Sequence, residues 1–138
     1  MKTRTITVPY TSVLAAPSDG NGGYLVDLGN FPANARIIST DLKINAPFTT
    51  SDSADVSAQL LLNDNINAGY NYPLGCYSLV SGSTGDNQYS WNGCVNYGSG
   101  SGPVLSVAGS LQLGVSGGAN LSSLSSGQAT IYVHYVKY

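Results

Sequence analysis

The stretch Arg36-Ile37-Ile38-Ser39-Thr40-Asp41-Leu42-Lys43-Ile44 decides the fold class. Its apolar and methyl-bearing residues at 38, 40, 42 and 44 alternate with Ser39, Asp41 and Lys43. A period of two sends successive side chains to opposite faces of a sheet. The pattern therefore predicts a strand with Ile38, Thr40, Leu42 and Ile44 inward and the polar set facing solvent or a partner. Ala46-Pro47 is expected to end it, because proline has no N–H to give to a ladder.

The same period recurs on both sides. Thr5 to Val8 reads as a short first strand, and the loop Pro17 to Gly23 follows. Tyr24, Val26 and Leu28 then share one face until Gly29-Asn30 breaks the run. Val56, Ala58, Leu60 and Leu62 form the next face, with Ser57 and Gln59 outside and Asn63-Asp64-Asn65 closing the segment. Further on, Leu105, Val107, Leu111, Leu113 and Val115 predict one face of a long strand, with Gly109 at a bend or bulge. Gly117-Gly118 turns the chain, residues 120–126 hold at most a single helical turn, and residues 128–138 close as a strand with Ile131, Val133 and Tyr135 inside. The predicted core is Ile38, Leu42, Ile44, Leu60, Leu62, Leu111, Leu113, Ile131 and Val133.

Composition agrees with this pattern. The chain has 138 residues, enough for one domain spanning 1–138. Charged residues are 9% of it, against roughly 25% in an average soluble domain. All seven acidic residues are Asp, and Lys and Arg together number five. That excludes long helices carrying Glu/Lys pairs on their exposed faces. Seven or eight strands with Gly, Asn and Pro between them predict an all-β fold, a single antiparallel β-sandwich that is jelly-roll-like. No repeat of a solenoid or propeller period is present.

The same counts narrow the function classes. A net charge of −2 with five cations supplies no stripe able to neutralise a row of phosphates, so no nucleic-acid partner is expected. Residues 1–8 alternate where an export signal would be apolar, and no apolar run is long enough to span a bilayer. Synthesis in the cytoplasm and no membrane partner are the expectations; Cys76 and Cys94 could form one bridge, and a chain without an export signal most often keeps such thiols reduced, so both states stay open. Those cysteines and His134 fall short of a zinc ligand set, so no metal and no cofactor are expected.

Three motif matches have bland readings. Gly114-Val115-Ser116-Gly117-Gly118 fits the nucleophile-elbow pattern, but no helix of adequate length follows, and His134, the one histidine, lies in an alternating strand. His134 reads as a surface or hydrogen-bonded edge residue. Asn63 to Gly69 places oxygen ligands at alternate positions, yet it lacks the bidentate Glu and the sixth-position Gly of a calcium loop, so a turn with Asx hydrogen bonding is expected. Asn120-Leu121-Ser122 is a glycosylation sequon that a chain kept in the cytoplasm would not present to the enzyme.

Between Gly69 and Gly102 the character changes. Tyr70, Tyr72, Tyr77, Tyr89, Trp91 and Tyr97 are embedded among Gly, Ser and Asn, with weaker strands expected around Cys76 to Val80 and Gln88 to Val95. Residues 81–87 read as a mobile turn and 98–102 as a loop tip. Rigid amphipathic rings beside short polar residues are the mixture used by adaptable contact surfaces, so these six aromatics are the candidate contact surface. The scarcity of Lys and Glu on the strand faces points the same way, because interface cores are depleted in both.

Three stretches, Tyr24 to Gly29, Phe31 to Ile37 and Leu42 to Phe48, resemble small β-sandwich virion proteins of tailed bacteriophages, those that decorate or cement the capsid. In that group a strand ending in Leu-Gly is followed by a Pro-x-x-Ala-Arg turn into a long alternating strand, and the chain often closes with a segment like Gly127 to Tyr135. The likeness covers roughly the first 65 and last 30 residues. By it, Pro32 and Asn34 shape a turn, Ala35 sits where backbone packs closely, and Arg36 opens a strand at the surface. The segment Tyr70 to Gly102 departs from the pattern. The resemblance implies a non-enzymatic structural role: a homo-oligomer, commonly a trimer, made in the host cytoplasm, seated on the virion capsid exterior and bridging subunits of the major capsid protein. The competing class is a receptor- or glycan-binding head domain of a phage tail or fibre that uses the Tyr/Trp loops. An Asp-dependent glycosidase ranks last, because seven scattered Asp residues single out no pair. The first strand and the final strand, ending in Lys137-Tyr138, are the expected edges for pairing between subunits.

Overall fold

Alternation becomes two antiparallel sheets facing each other. The structure, a computed structural model, describes residues 1–18, 23–51, 56–65, 71–80, 103–117 and 121–138. In chain order these hold β1 (Lys2–Pro9), α1 (Tyr10–Ala15), β2 (Tyr24–Phe31), β3 (Ala35–Thr49), β4 (Val56–Asn63), β5 (Asn71–Ser78), β6 (Gly109–Gly117), a 3-10 turn (Leu121–Ser123) and β7 (Ser126–Lys137). One sheet has the order β1-β7-β3 and the other β2-β6-β4-β5, with every neighbouring pair antiparallel. The all-β sandwich read from the sequence is the observed architecture.

The core fills the space between the sheets. Leu42, Ile44, Ile131 and Val133 enter it from the three-stranded sheet, and Leu60, Leu62, Leu111 and Leu113 from the four-stranded sheet. Eight of the nine predicted core residues are thus buried, and Ile38 is the exception, at 39% exposure. Its neighbour Ile37 is fully buried. The cause is a β-bulge: Ile37 pairs with Tyr135 while Ser39 pairs with His134, so one residue of β3 is left over and the facing reverses there. Alternation is therefore regular on each side of residue 38 but out of phase across it, with Ala35 and Ile37 inward before it and Thr40, Leu42 and Ile44 after it.

Other boundaries move for similar reasons. β3 runs through Ala46-Pro47 to Thr49, tolerating the proline because it is an edge strand with register shifts between Ile44 and Ala46 and between Ala46 and Thr49. β2 likewise continues past Gly29-Asn30, absorbing a register shift between Asp27 and Gly29. β1 begins at Lys2, earlier than expected. Ser57 is buried, and its hydroxyl donates to the Ser116 carbonyl at 3.4 Å. The strand expected to start near Leu105 starts at Gly109. Leu105 is buried ahead of it, and Val107 is exposed. α1 has no counterpart in the sequence reading; it buries Val13 between the chain's first two strands. The expected helical turn in 120–126 is the 3-10 turn at Leu121–Ser123. The expected strand at Gln88 to Val95, the turn at 81–87 and the loop tip at 98–102 lie outside the described residues.

One long side of the sandwich is stitched across its layers. Phe48 N donates to the Leu79 carbonyl at 2.9 Å, and Leu79 N to the Val56 carbonyl at 2.9 Å. Within the core, the Thr40 hydroxyl on β3 and the Tyr77 phenol on β5 are 2.5 Å apart. Near the end of β3, Phe48 packs over Gly127, whose φ of +139° few side chains adopt and where a Cβ would come within 2.5 Å of the Phe48 ring. The opposite long side is not laddered: β1 and β2 are the edge strands of different sheets, bridged by α1 and by Arg4, whose guanidinium donates to the Asn30 carbonyl and lies 5.9 Å from the Phe31 ring centroid.

Candidate functional site

Of the six candidate contact aromatics, Tyr72 and Tyr77 lie among the described residues. Tyr77 is fully buried, its ring lying where a side chain at Gly75 would stand: a Cβ there would approach the Tyr77 hydroxyl at 2.7 Å. Its phenol meets Thr40, so it ties the sheets together and makes no outside contact. Tyr72 is half-buried against the core. Tyr70, Tyr89, Trp91 and Tyr97 lie outside the described residues. The expected contact surface is corrected to that extent: tyrosine satisfies both a core and a rim environment, and composition alone does not tell the two apart.

The structure also fixes the state of a cysteine. Cys76 is buried on β5 and disulfide-bonded, and Cys94, the one other cysteine in the sequence, lies outside the described residues. Of the two states the sequence left open, the bonded one is found.

On the outer face of the three-stranded sheet, three polar side chains connect its strands. His134 on β7 places Nδ1 at 3.0 Å from the Thr3 hydroxyl of β1 and Nε2 at 3.1 Å from Asp41 Oδ2 of β3. An ionised carboxylate only accepts, so Nε2 donates to Asp41, and Nδ1 of a neutral ring accepts from Thr3. The edge placement expected for His134 is corrected, since β7 is the central strand, paired on both sides. For the same reason the final strand has no free edge for a neighbouring subunit, whereas β1 has one.

Hydroxyl, imidazole and carboxylate in a row are also the parts of an acyl-transfer site. Here they lie on an open sheet face, and the β7 backbone around His134 is committed to ladders with β1 and β3 and cannot serve as an oxyanion hole. The arrangement works as a cross-strand tie. With the His134 and Asp41 side chains 23% and 46% exposed, their contact contributes at most about 1 kcal/mol.

The remaining motif residues fall apart in space. Ser116 lies within β6, in the sheet that does not contain His134, so among the described residues the nucleophile-elbow match does not bring the serine and the histidine into one sheet. Asn65, at φ 55°, receives the expected Asx bond: its N–H donates to Asn63 Oδ1 at 2.9 Å, and its amide nitrogen reaches the Ala108 carbonyl at 3.2 Å. Asp64 beside it is buried. Among the described residues no group of three or more His, Cys, Asp or Glu side chains is placed to hold a metal ion. An open groove of about 420 Å³ runs between β1 and β2, lined by Ile6, Val8, Val26 and Leu28 with Thr7 and Asp27. It exists because these two edge strands belong to different sheets.

What the described residues offer is surface: a polar, threonine-bearing sheet face and an unladdered sandwich edge. No protein-family model, no curated protein and no solved structure matches the chain.

Proposed function

We propose that this chain is a non-enzymatic structural protein of a virion, a capsid decoration or cement protein that seats on the outer surface of an assembled phage head as a homo-oligomer and stabilises it. In this reading the sandwich is jelly-roll-like, the partner is the major capsid protein, and no cofactor takes part. One observation supports it above the others. The stretches that carry the likeness fall on β2, β3 and β7, and the turn between β2 and β3 has the features the likeness implies. Asn34 adopts φ 57°, Ala35 is fully buried, and Arg36 opens β3 exposed. The disulfide at Cys76 is consistent with a working life outside the cell.

The mechanism is mass action. A subunit that binds the assembled shell and not its dissociated parts adds its binding free energy to the stability of the shell. Several modest contacts on one oligomer combine through effective concentration. The receptor- or glycan-binding alternative rests on the aromatic cluster, and with Tyr77 in the core no described observation favours it. Heating heads assembled with and without this chain tests the proposal. Release of packaged DNA at a higher temperature from the decorated heads is expected, and identical release curves would overturn it.

A further inference from the structure

Two sheets leave four edge strands among the described residues, and three of these are blunted. β3 carries Pro47 and three register shifts against β7. β2 shifts register between Asp27 and Gly29. β5 holds Pro73 and leaves Leu74 unpaired, since Gly75 faces Leu60 and Pro73 faces Leu61. Prolines and bulges are the devices by which a sheet edge avoids pairing with another chain. β1 differs: its residues Lys2 to Pro9 pair with Tyr135 to Gln128 without a shift, and its proline comes only at the last step. Among the described residues no strand pairs with its outer edge.

The order of side chains along β1 is complementary to itself. Thr3, Thr5 and Thr7 are exposed on the outer face, while Arg4 reaches the Asn30 carbonyl of the other sheet, Ile6 packs on the core and Val8 is buried. When Thr5 faces Thr5 of a second, antiparallel β1, Thr3 faces Thr7, Arg4 faces Ile6 and Lys2 faces Val8. Every threonine then meets a threonine, a favourable cross-strand pair, and no cation stands directly opposite another. Centring the pair on Arg4 sets like charges face to face, and centring it on Ile6 sets Thr3 against Pro9. A shift by one residue joins the outer face of one copy to the inner face of the other.

We infer that β1 pairs antiparallel with β1 of a second copy about a two-fold axis at Thr5, joining two three-stranded sheets into one of six strands. Such a contact uses the same patch on both subunits and closes on itself. The groove between β1 and β2 opens on the same side of the molecule with half-buried Ile6 and Leu28 along it, so pairing there also withdraws apolar surface from water. The inference rests on the proposed function only for the expectation that copies associate; the edge and its register are its own content.

Sedimentation velocity and cysteine cross-linking of the full chain test this. A dimer is expected. Oxidised Thr5→Cys should run as a covalent dimer on a non-reducing gel where the wild-type chain does not, because facing Cβ atoms lie about 4.5 to 5.5 Å apart. Thr3→Cys alone should not cross-link, its two copies being about 14 Å apart along the strands, whereas an equal mixture of Thr3→Cys and Thr7→Cys chains should. Thr5→Lys, which sets like charges opposite each other at an exposed position, should raise the dissociation constant about threefold or more while the melting temperature is kept. Lys43→Glu, on the opposite edge strand of the same sheet, should leave the dimer intact. A monomer at about 1 mM, no cross-link from Thr5→Cys, cross-linking of Thr3→Cys as ready as that of Thr5→Cys, or a dissociation constant unmoved by Thr5→Lys or moved as far by Lys43→Glu would overturn the inference. So would β1 amides that exchange freely in solution and become protected only on heads, since the edge then belongs to the capsid protein. Binding to purified heads is a separate readout: a monomer that still decorates heads sinks this inference alone, and a dimer that ignores heads sinks the proposed function alone.

Discussion

Adjacent isoleucines on β3 give the sharpest test of the packing. Ile37 is fully buried and Ile38 is 39% exposed, with the bulge between them as the cause. Ile37→Ala removes three buried carbons, a transfer loss of about 2.4 kcal/mol at about 0.8 kcal/mol each. The unfilled cavity adds to that loss, for a total of about 3 to 4 kcal/mol. Ile38→Ala leaves no enclosed cavity, and part of its side chain already touches water. Its expected cost is about 1 kcal/mol, including the lower strand preference of alanine. Urea unfolding followed by tryptophan fluorescence or circular dichroism reads the difference as a shift of midpoint at constant slope. The larger shift should belong to Ile37→Ala by about 2 kcal/mol. Equal shifts, or a larger one for Ile38→Ala, would place the bulge elsewhere and restore unbroken alternation through residues 38–44.

Three further outcomes follow from particular contacts. Tyr77→Phe keeps the ring and removes the phenol that meets Thr40 in the core, and should cost about 1 to 3 kcal/mol in the same unfolding assay, with Thr40→Val partly compensating in the double variant. Gly127→Ala must place a Cβ within 2.5 Å of the Phe48 ring at a φ alanine avoids, so a loss of about 2 kcal/mol or more is expected, and a Phe48→Ala background should relieve part of it. Reducing the Cys76 disulfide should lower the unfolding free energy by about 2 to 4 kcal/mol, measured with and without reductant and compared with a Cys76→Ser, Cys94→Ser chain.

Legibility in the sequence tracked regularity. Where alternation runs unbroken, as at Val56 to Leu62 or Leu111 to Val115, both the strand and its inward face were readable. The bulge at residue 38 was not, because Ile37 and Ile38 offer the same side chain to either phase and only pairing with β7 selects one. α1, six residues long, is shorter than the window over which helical periodicity can be counted. The contribution of β5 was hidden for a different reason. Leu74, Gly75, Cys76 and Tyr77 are buried in succession around a register shift, so no period of two is visible. The small Gly75 two residues before a tyrosine was the available hint of a buried ring. The cross-strand tie through His134 needed topology, since Thr3 and Asp41 are far from it in sequence and adjacent only in the sheet.

The most direct measurement is the number of copies of this chain on purified, DNA-filled heads, counted by quantitative mass spectrometry against the major capsid protein and paired with labelling by a reagent that cannot enter the shell. The account predicts a fixed stoichiometric ratio with the chain fully labelled on the outside. Heads that carry none of it, or a copy number matching only a tail or fibre, would contradict the account.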